Sequence, residues 1–277
     1  MTSPLDIDAV RAAYDAQIRR KAVADEPGAT VEAGDRVVRW LAPGDQTSCI
    51  TWSSLTGETA DAEIAAQQRY FTGRGTPVEW KYYDYDQPPD LPARLLAAGF
   101  DPDDEELMLV AETASIDRRV VLPGGVRLIP VTDEQGVAAT MAVHDRAFAD
   151  HLSPELGARL LAQFREASDS LQLVVAMAGD EPVSAARIEF VAHSDFAGLW
   201  GGGTVPEWRG KGIFRALVAY RAGLAADCGY RYLHVDALPA SRPILQRLGF
   251  AAVAATTPYL FTPAGAQHGS TDTMDSW

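Results

Sequence analysis

The chain is poor in most of what would make a metal centre, a disulfide scaffold or a nucleic-acid clamp. Its 277 residues include two cysteines, Cys49 and Cys228, far apart and in no redox or zinc spacing. Two reduced, buried thiols are expected, as in a reducing compartment. The five histidines, at 144, 151, 193, 234 and 268, fall in no ligand spacing, so no metal is implied. Cationic side chains are scarce too: 24 Lys and Arg stand against 38 Asp and Glu, a formal net charge of −14. A phosphate backbone needs a basic face, so nucleic acid is excluded as a partner. No apolar run nears the roughly 18 residues that cross a bilayer. The opening MTSPLDIDAV lacks both the basic and the apolar region of a signal peptide. The reading is a soluble, cytoplasmic chain without membrane contact.

What is present is ordinary globular material, 47% hydrophobic and 22% charged with a mean hydropathy of −0.09. That suffices for one large core or two smaller ones. Ser3-Pro4 with Asp6 and Asp8 marks a first helix to about Arg20. Strands are expected at 36–42, 48–55, 78–85 and 105–112, with helices at 60–71 and 90–100. Residues 113–125 carry little periodicity and read as a linker. A second series follows: a strand at 126–131, a helix capped by Thr132, another helix at 153–168, and strands at 171–178, 182–192 and 196–205. A helix to Cys228, a strand at 230–237, a short helix ending at Gly249-Phe250 and a last strand near TPYLFT complete it. The tail 264–277 has no core-forming pattern and is expected to be disordered.

Shifted by 150 residues, YYDYDQPPDLPARLLAAGF (82–100) lies on YLHVDALPASRPILQRLGF (232–250). Tyr82 meets Tyr232, Asp86 meets Asp236, Gly99 meets Gly249 and Phe100 meets Phe250, without gaps. Internal duplication explains this together with the shared order of elements; chance plus a common helix ending is the alternative.

One short stretch carries chemistry. EWRGKGIFRAL (207–217) sets two glycines and two cations between a strand and an amphipathic helix. First-turn amides of a helix have no intrahelical partner, and the dipole there is positive. Glycine lets an anion approach that backbone closely, so the turn is a phosphate cradle. Lys211 is followed by Gly212 rather than Ser or Thr, which removes the magnesium ligand of a Walker loop. A dinucleotide fingerprint fails as well, because its third glycine is missing and the preceding strands form a meander.

Arg209-x-x-Gly212, preceded by TVPEW and followed by that helix, resembles the pyrophosphate motif of the GCN5-related N-acetyltransferase (GNAT) superfamily. SRPILQRLGF (241–250) resembles its fourth conserved stretch. The resemblance implies an α/β fold of two GNAT-like domains, each a central, mostly antiparallel mixed sheet flanked by helices. Residues 1–115 would be a degenerate copy without the motif, 116–125 the linker and 126–263 the active domain. It implies acetyl-CoA as co-substrate, its pantetheine on Thr204 and Val205. Its pyrophosphate would lie on the amides of Arg209, Gly210, Lys211, Gly212, Ile213 and Phe214. The function implied is acetyl transfer to a small-molecule or peptide amine by direct attack in a ternary complex; the alternative is an acyl-CoA sensor. The sequence allows a homodimer without requiring one. Phe214 stands where the family's loop closes with a small residue, Leu245 where it often has a tyrosine acid, and Leu238 where it often has an asparagine.

Three residues are candidates for proton transfer. Glu189, in the strand ARIEFV, is a base or else a solvated outward position. Asp236 is catalytic or a structural cap, and Tyr259 could replace the missing acid. His234 shares a face with Asp236 and reads as a packed core histidine. The strand GGGTV could bulge to offer an oxyanion amide, or be fitted against the neighbouring domain.

Overall fold

The computed structural model describes residues 5–148, 154–166 and 169–266. Ser3, Pro4, His151, Ser153, His268 and the expected disordered tail from residue 267 lie outside the described residues. Helix α1 (Ile7–Tyr14) is capped by Asp6, whose carboxylate accepts from the Ala9 amide, and continues as a π-helical turn over Asp15–Arg19. Strands β1 (Thr30–Ala33), β2 (Val37–Leu41) and β3 (Ser48–Ser53) form an antiparallel ribbon. Helix α2 (Ala60–Arg74) ends on Gly75 at φ 70°, a left-handed cap that glycine adopts without strain. Strand β4 (Val78–Tyr83), helix α3 (Leu91–Ala97), the short β5 (Asp101–Pro102) and β6 (Glu106–Glu112) follow.

The second series begins with β7 (Val126–Pro130) and helix α4 (Glu134–Ala147). The cap of α4 is Asp133 rather than the expected Thr132, accepting from the Gly136 amide at 2.8 Å. Helix α5 (Pro154–Glu166) leads into the meander β8 (Leu171–Ala178), β9 (Glu181–Phe190) and β10 (Phe196–Thr204). Helix α6 (Ile213–Asp227), β11 (Tyr232–Ala237), α7 (Arg242–Arg247) and β12 (Ala251–Phe261) complete the chain. Cys228, expected to be buried, is exposed at the end of α6, while Cys49 is buried in β3.

Both series contain a parallel strand pair joined through a helix, β3 with β4 and β10 with β11. Their helix ends match at the expected spacing, since Gly99 and Gly249 both hold positive φ. The strands do not. Val78 and Tyr232 open β4 and β11, so the strands are offset by 154 residues rather than 150. Asp86 therefore lies beyond β4, whereas Asp236 lies within β11.

Among the described residues the strands form one sheet, ordered β1-β2-β3-β4-β12-β6-β11-β10-β9-β8-β7, with β5 beside β12. The last strand of each series is exchanged. Strand β12 runs antiparallel between β4 and β6, and β6 runs antiparallel between β12 and β11. The expected boundary between 115 and 126 is thus crossed by the sheet. Two large cores follow the two series. One packs α6 and α7 on β9, β10 and β11; the other packs α2 and α3 on β2, β3 and β4.

A buried ion cluster lies on the seam. Lys81 of β4 is held by Glu106 of β6 at 3.0 Å and Asp236 of β11 at 2.9 Å, all three side chains at most 6% exposed. Burial and the neighbouring Asp236 push the Glu106 carboxyl up, against the pull of Lys81. On the same face Tyr14 of α1 meets the rings of Tyr83, Phe196 and His234. The π-helical turn buries Arg19, which binds Asp86 in a bidentate pair at 2.9 and 2.7 Å. Gln17 exchanges two hydrogen bonds with Asp195, so the N-terminal helix is tied to both series.

Candidate active site

Parallel pairing between β10 and β11 is brief. It covers Phe196 with Tyr232, Ala197 with Leu233 and Gly198 with His234, and then stops. Yet β10 runs on to Thr204 and β11 to Ala237. Beyond Gly198 and His234 the two strands separate, and one edge of β10 is left without a strand partner.

The widening is reinforced by a bulge in β10, where the register against β9 shifts between Trp200 and Gly203. Gly201 takes φ 58° there. Gly202 and Gly203 are needed for close packing: a Cβ would sit 2.9 Å from Cε2 of Phe214 at the first and 2.8 Å from Cε2 of Phe148 at the second. The glycine strand is therefore bulged, and it is fitted to α6 and the end of α4 rather than to the N-terminal series. Under the bulge, buried Arg221 of α6 donates to the carbonyls of Arg187 at 2.9 Å and Trp200 at 3.3 Å. Burial lowers its pKa to about 9, with Arg187 adding to the effect.

The motif lies where β10 ends. A 3₁₀ turn (Pro206–Trp208) leads to Gly210 at φ 74° and to Gly212 at φ 86°, the N-cap of α6. Among the described residues no backbone acceptor is found for the amides of residues 210–214. A Cβ on Gly210 would meet nothing within 4 Å, so the turn faces open space. Lys211 and Arg215 are exposed, and Lys211 Nζ stands 4.2 Å over the Trp208 ring. Ile213 is buried, so its amide rather than its side chain is presented.

Arg209 departs from expectation, since its amide donates to the Pro206 carbonyl at 3.2 Å rather than standing open. Its Nε donates to the Thr204 carbonyl at 3.0 Å and its Nη2 to the Ala147 carbonyl at 2.9 Å, so it braces the loop. The Val205 amide donates to Val183 of β9, which removes it from any cofactor pairing. The Thr204 hydroxyl pairs with Ser184 Oγ at 2.8 Å. Phe214 is half-buried against Gly202 and leaves the mouth of the turn clear.

The candidate acid–base residues separate. Glu189 is on β9, 18% exposed and paired with Arg187 at 2.9 Å. Asp236 belongs to the Lys81 cluster and caps no helix. Tyr259 pairs with Trp80 of β4 and packs in the N-terminal core against Tyr82. Two strands, β12 itself and β6, intervene between β4 and β11, so strand exchange takes Tyr259 away from the motif. Leu245 is core of the C-terminal series, with no acid in its place.

The structure adds a feature that sequence reading set aside. A cavity of about 420 Å³ lies between the two series, over the point where β10 and β11 part. Its lining includes Tyr14 and Arg19 from the N-terminal helix, Glu79 and Lys81 from β4, and Glu189, Trp200 and His234. Glu189, Gly198 and His234 form one rung across β9, β10 and β11, with side chains on the cavity face. The Trp200 indole covers Gly198, which has no side chain to obstruct it.

The open mixed sheet thus holds a parted parallel pair, with a glycine-lined helix start at one end of the parting and a cavity at the other. Residues 137–250 match the model of the acetyltransferase (GNAT) family. The protein is an acyltransferase. Among solved structures, a GCN5-related N-acetyltransferase from Kribbella flavida is similar at 16% identity over 95% of this chain and 98% of that one, with a TM-score of 0.69. Another, from Sphaerobacter thermophilus, is 16% identical over 94% of both chains, TM-score 0.61. A tandem GNAT protein from the clavulanic acid biosynthesis pathway is 13% identical over 93% of this chain and 97% of that one, TM-score 0.62. These likenesses speak for the fold. No match was found among curated proteins. Among the described residues no helix is long and apolar enough to cross a membrane, and no His, Cys, Asp and Glu cluster suited to a metal is found.

Proposed function

We propose that the protein transfers an acetyl group from acetyl-CoA to an amine, by direct attack with both substrates bound. The observation that carries this reading is the parting of β10 from β11, flanked by the open amides of 210–214 and by the cavity. Acetyl-CoA supplies the acyl group as a thioester. The residues fit it. First-turn amides of α6, with Lys211 and Arg215 beside them, suit a pyrophosphate, each charge-assisted bond being worth about 1.5–3 kcal/mol. The free edge of β10 near Thr204 offers backbone groups to an extended amide chain.

The N-terminal series, in this reading, is a repeat that no longer takes the cofactor. Its parallel pair also stops after three rungs, at Ile50 and Trp80. There Arg19 donates to the Thr51 carbonyl at 3.0 Å while binding Asp86, bridging β3 and the turn after β4. The first turn of α2 carries Asp61 and Glu63, which repel phosphate. Both series work as one cytoplasmic enzyme, with 1–115 supplying a wall of the cavity.

Thiol release from acetyl-CoA, followed across a panel of amines, tests the reading. Saturable turnover with at least one amine is expected. Calorimetry that finds no acetyl-CoA binding would refute it.

A further inference from the structure

The cavity is acidic in an uneven way. Asp25, Glu26, Glu79, Glu166 and Glu189 line it, against the cations Arg19 and Lys81. Both cations are already held by carboxylates outside the lining, Arg19 by Asp15 and Asp86 and Lys81 by Glu106 and Asp236. Glu26 and Glu189 have partners in Arg159 at 3.4 Å and Arg187 at 2.9 Å. With these neighbours included, nine carboxylates among the described residues line the cavity or bind its lining, and four cations oppose them. Tyr14, Trp40 and Trp200 share the lining, and an aromatic face attracts cations through its quadrupole.

An acidic lining alone could be a solvated surface, but His234 points to a ligand. Its ring is 3% exposed, lines the cavity, and among the described residues has no hydrogen-bond partner at either nitrogen. Aromatic edges from Tyr14, Phe196 and Trp200 hold it in place without satisfying it. An unmade hydrogen bond of this kind is costly in a buried site. It is stranded at the last rung before the strands part, where the acyl group would arrive. One nitrogen of a neutral imidazole is an acceptor, so an N–H donor in the cavity would complete it.

We propose that this cavity is the acceptor site, that it takes a small amine bearing at least one further positive charge, and that His234 accepts a hydrogen bond from the reacting nitrogen. The inference rests on the acetyl-transfer reading above. The reacting nitrogen attacks as the neutral amine: its lone pair forms the C–N bond as the C–S bond breaks, and its one surplus N–H proton passes by way of His234 to the departing sulfur. Glu79, 3% exposed at the inner wall, and Glu166, exposed at the end of α5, face the second charge. A volume of about 420 Å³ suits a free small molecule.

Three amines of four carbons each separate the charge classes: 1,4-diaminobutane, 1-aminobutane and 4-aminobutanoate. The full chain with saturating acetyl-CoA should use the diamine with a kcat/KM at least tenfold above the monoamine, and the amino acid least well. Glu79→Gln should raise KM for the diamine about tenfold and leave the monoamine unchanged; if that variant does not fold, Glu166→Gln should raise it severalfold. His234→Phe should lower kcat with either amine by tenfold or more, with little change in KM. Equal use of all three amines would overturn the charge selection while upholding acetyl transfer. Absence of turnover, with calorimetry showing acetyl-CoA bound and no diamine bound, would overturn the acceptor site. Failure to bind acetyl-CoA at all would instead overturn the reading on which it rests.

Discussion

Replacing His234 by phenylalanine should change how the fold responds to acid. Burial lowers the His234 pKa from 6.5 to about 4, opposed by Asp236 and reinforced by Lys81. Above pH 6.5 the imidazole is neutral in both folded and unfolded chains, so it contributes nothing to the pH dependence. As pH falls from 6.5 toward 4 the unfolded chain takes up a proton that the folded chain refuses, and stability drains away; below 4 the loss is complete. Integrated between pH 7.5 and 4.5, the lowered pKa costs the folded state about 2.5 kcal/mol. Phenylalanine fits among Tyr14, Phe196 and Trp200 and has no proton to take up. Denaturant unfolding of the wild type and His234→Phe at both pH values isolates the effect, because titrations common to both proteins cancel. The wild type should lose about 2.5 kcal/mol more than the variant on acidification. Parallel losses, or a His234 ring that titrates near pH 6.5 by NMR, would refute the assignment of a neutral, desolvated imidazole.

Other expectations follow from the same geometry. Lys81→Met should destabilise by about 3–5 kcal/mol in chemical unfolding, because Glu106 and Asp236 are left buried without their cation; a further Glu106→Gln exchange should recover part of that loss. Gly202→Ala forces its Cβ against Phe214 and should cost about 1–3 kcal/mol, whereas adding Phe214→Leu should relieve most of it; unfolding midpoints of the single and double variants decide. Gly212→Ala places a Cβ at φ 86°, a strain of about 1–2 kcal/mol, and should weaken acetyl-CoA in calorimetry by tenfold or more as the amides shift. Unchanged affinity would remove the loop as the anion site.

Legibility in the sequence followed the range of the interactions. The loop at 209–212 could be read because left-handed backbone at a helix start demands glycine locally, and Gly99 and Gly249 were legible as helix ends for the same reason. Strands β8, β9 and β10 were marked by alternation and short polar turns. The strand β1 escaped because Thr30–Ala33 is short and mostly exposed. Tyr259 was misplaced because strand exchange is set by pairing between residues more than a hundred positions apart, which no local pattern records. Arg209 was read as an open amide beside the glycines, yet the 3₁₀ turn takes that amide and the end of α4 brings the Ala147 carbonyl within reach of its guanidinium. His234 was correctly read as packed. That its nitrogens lack partners depends on Tyr14, Phe196 and Trp200, which arrive from distant segments. The lining residues Asp25 and Glu26 sit in an aperiodic stretch, and their only signal was acidity in a chain already acidic throughout.

The exchange of β6 and β12 makes the peptide link between the halves dispensable once folding is complete. A cut in the unpatterned stretch 117–123 should leave one particle, since each fragment still threads its last strand through the other. Separation would break the β4–β12, β12–β6 and β6–β11 pairings at once. Expressed alone, residues 126–277 would present β11 with a bare edge and carry β12 with no native neighbour, an invitation to assemble with another copy. The chain is therefore laced rather than beaded. A substitution in one half that loosens its final strand should be felt at the reaction centre of the other.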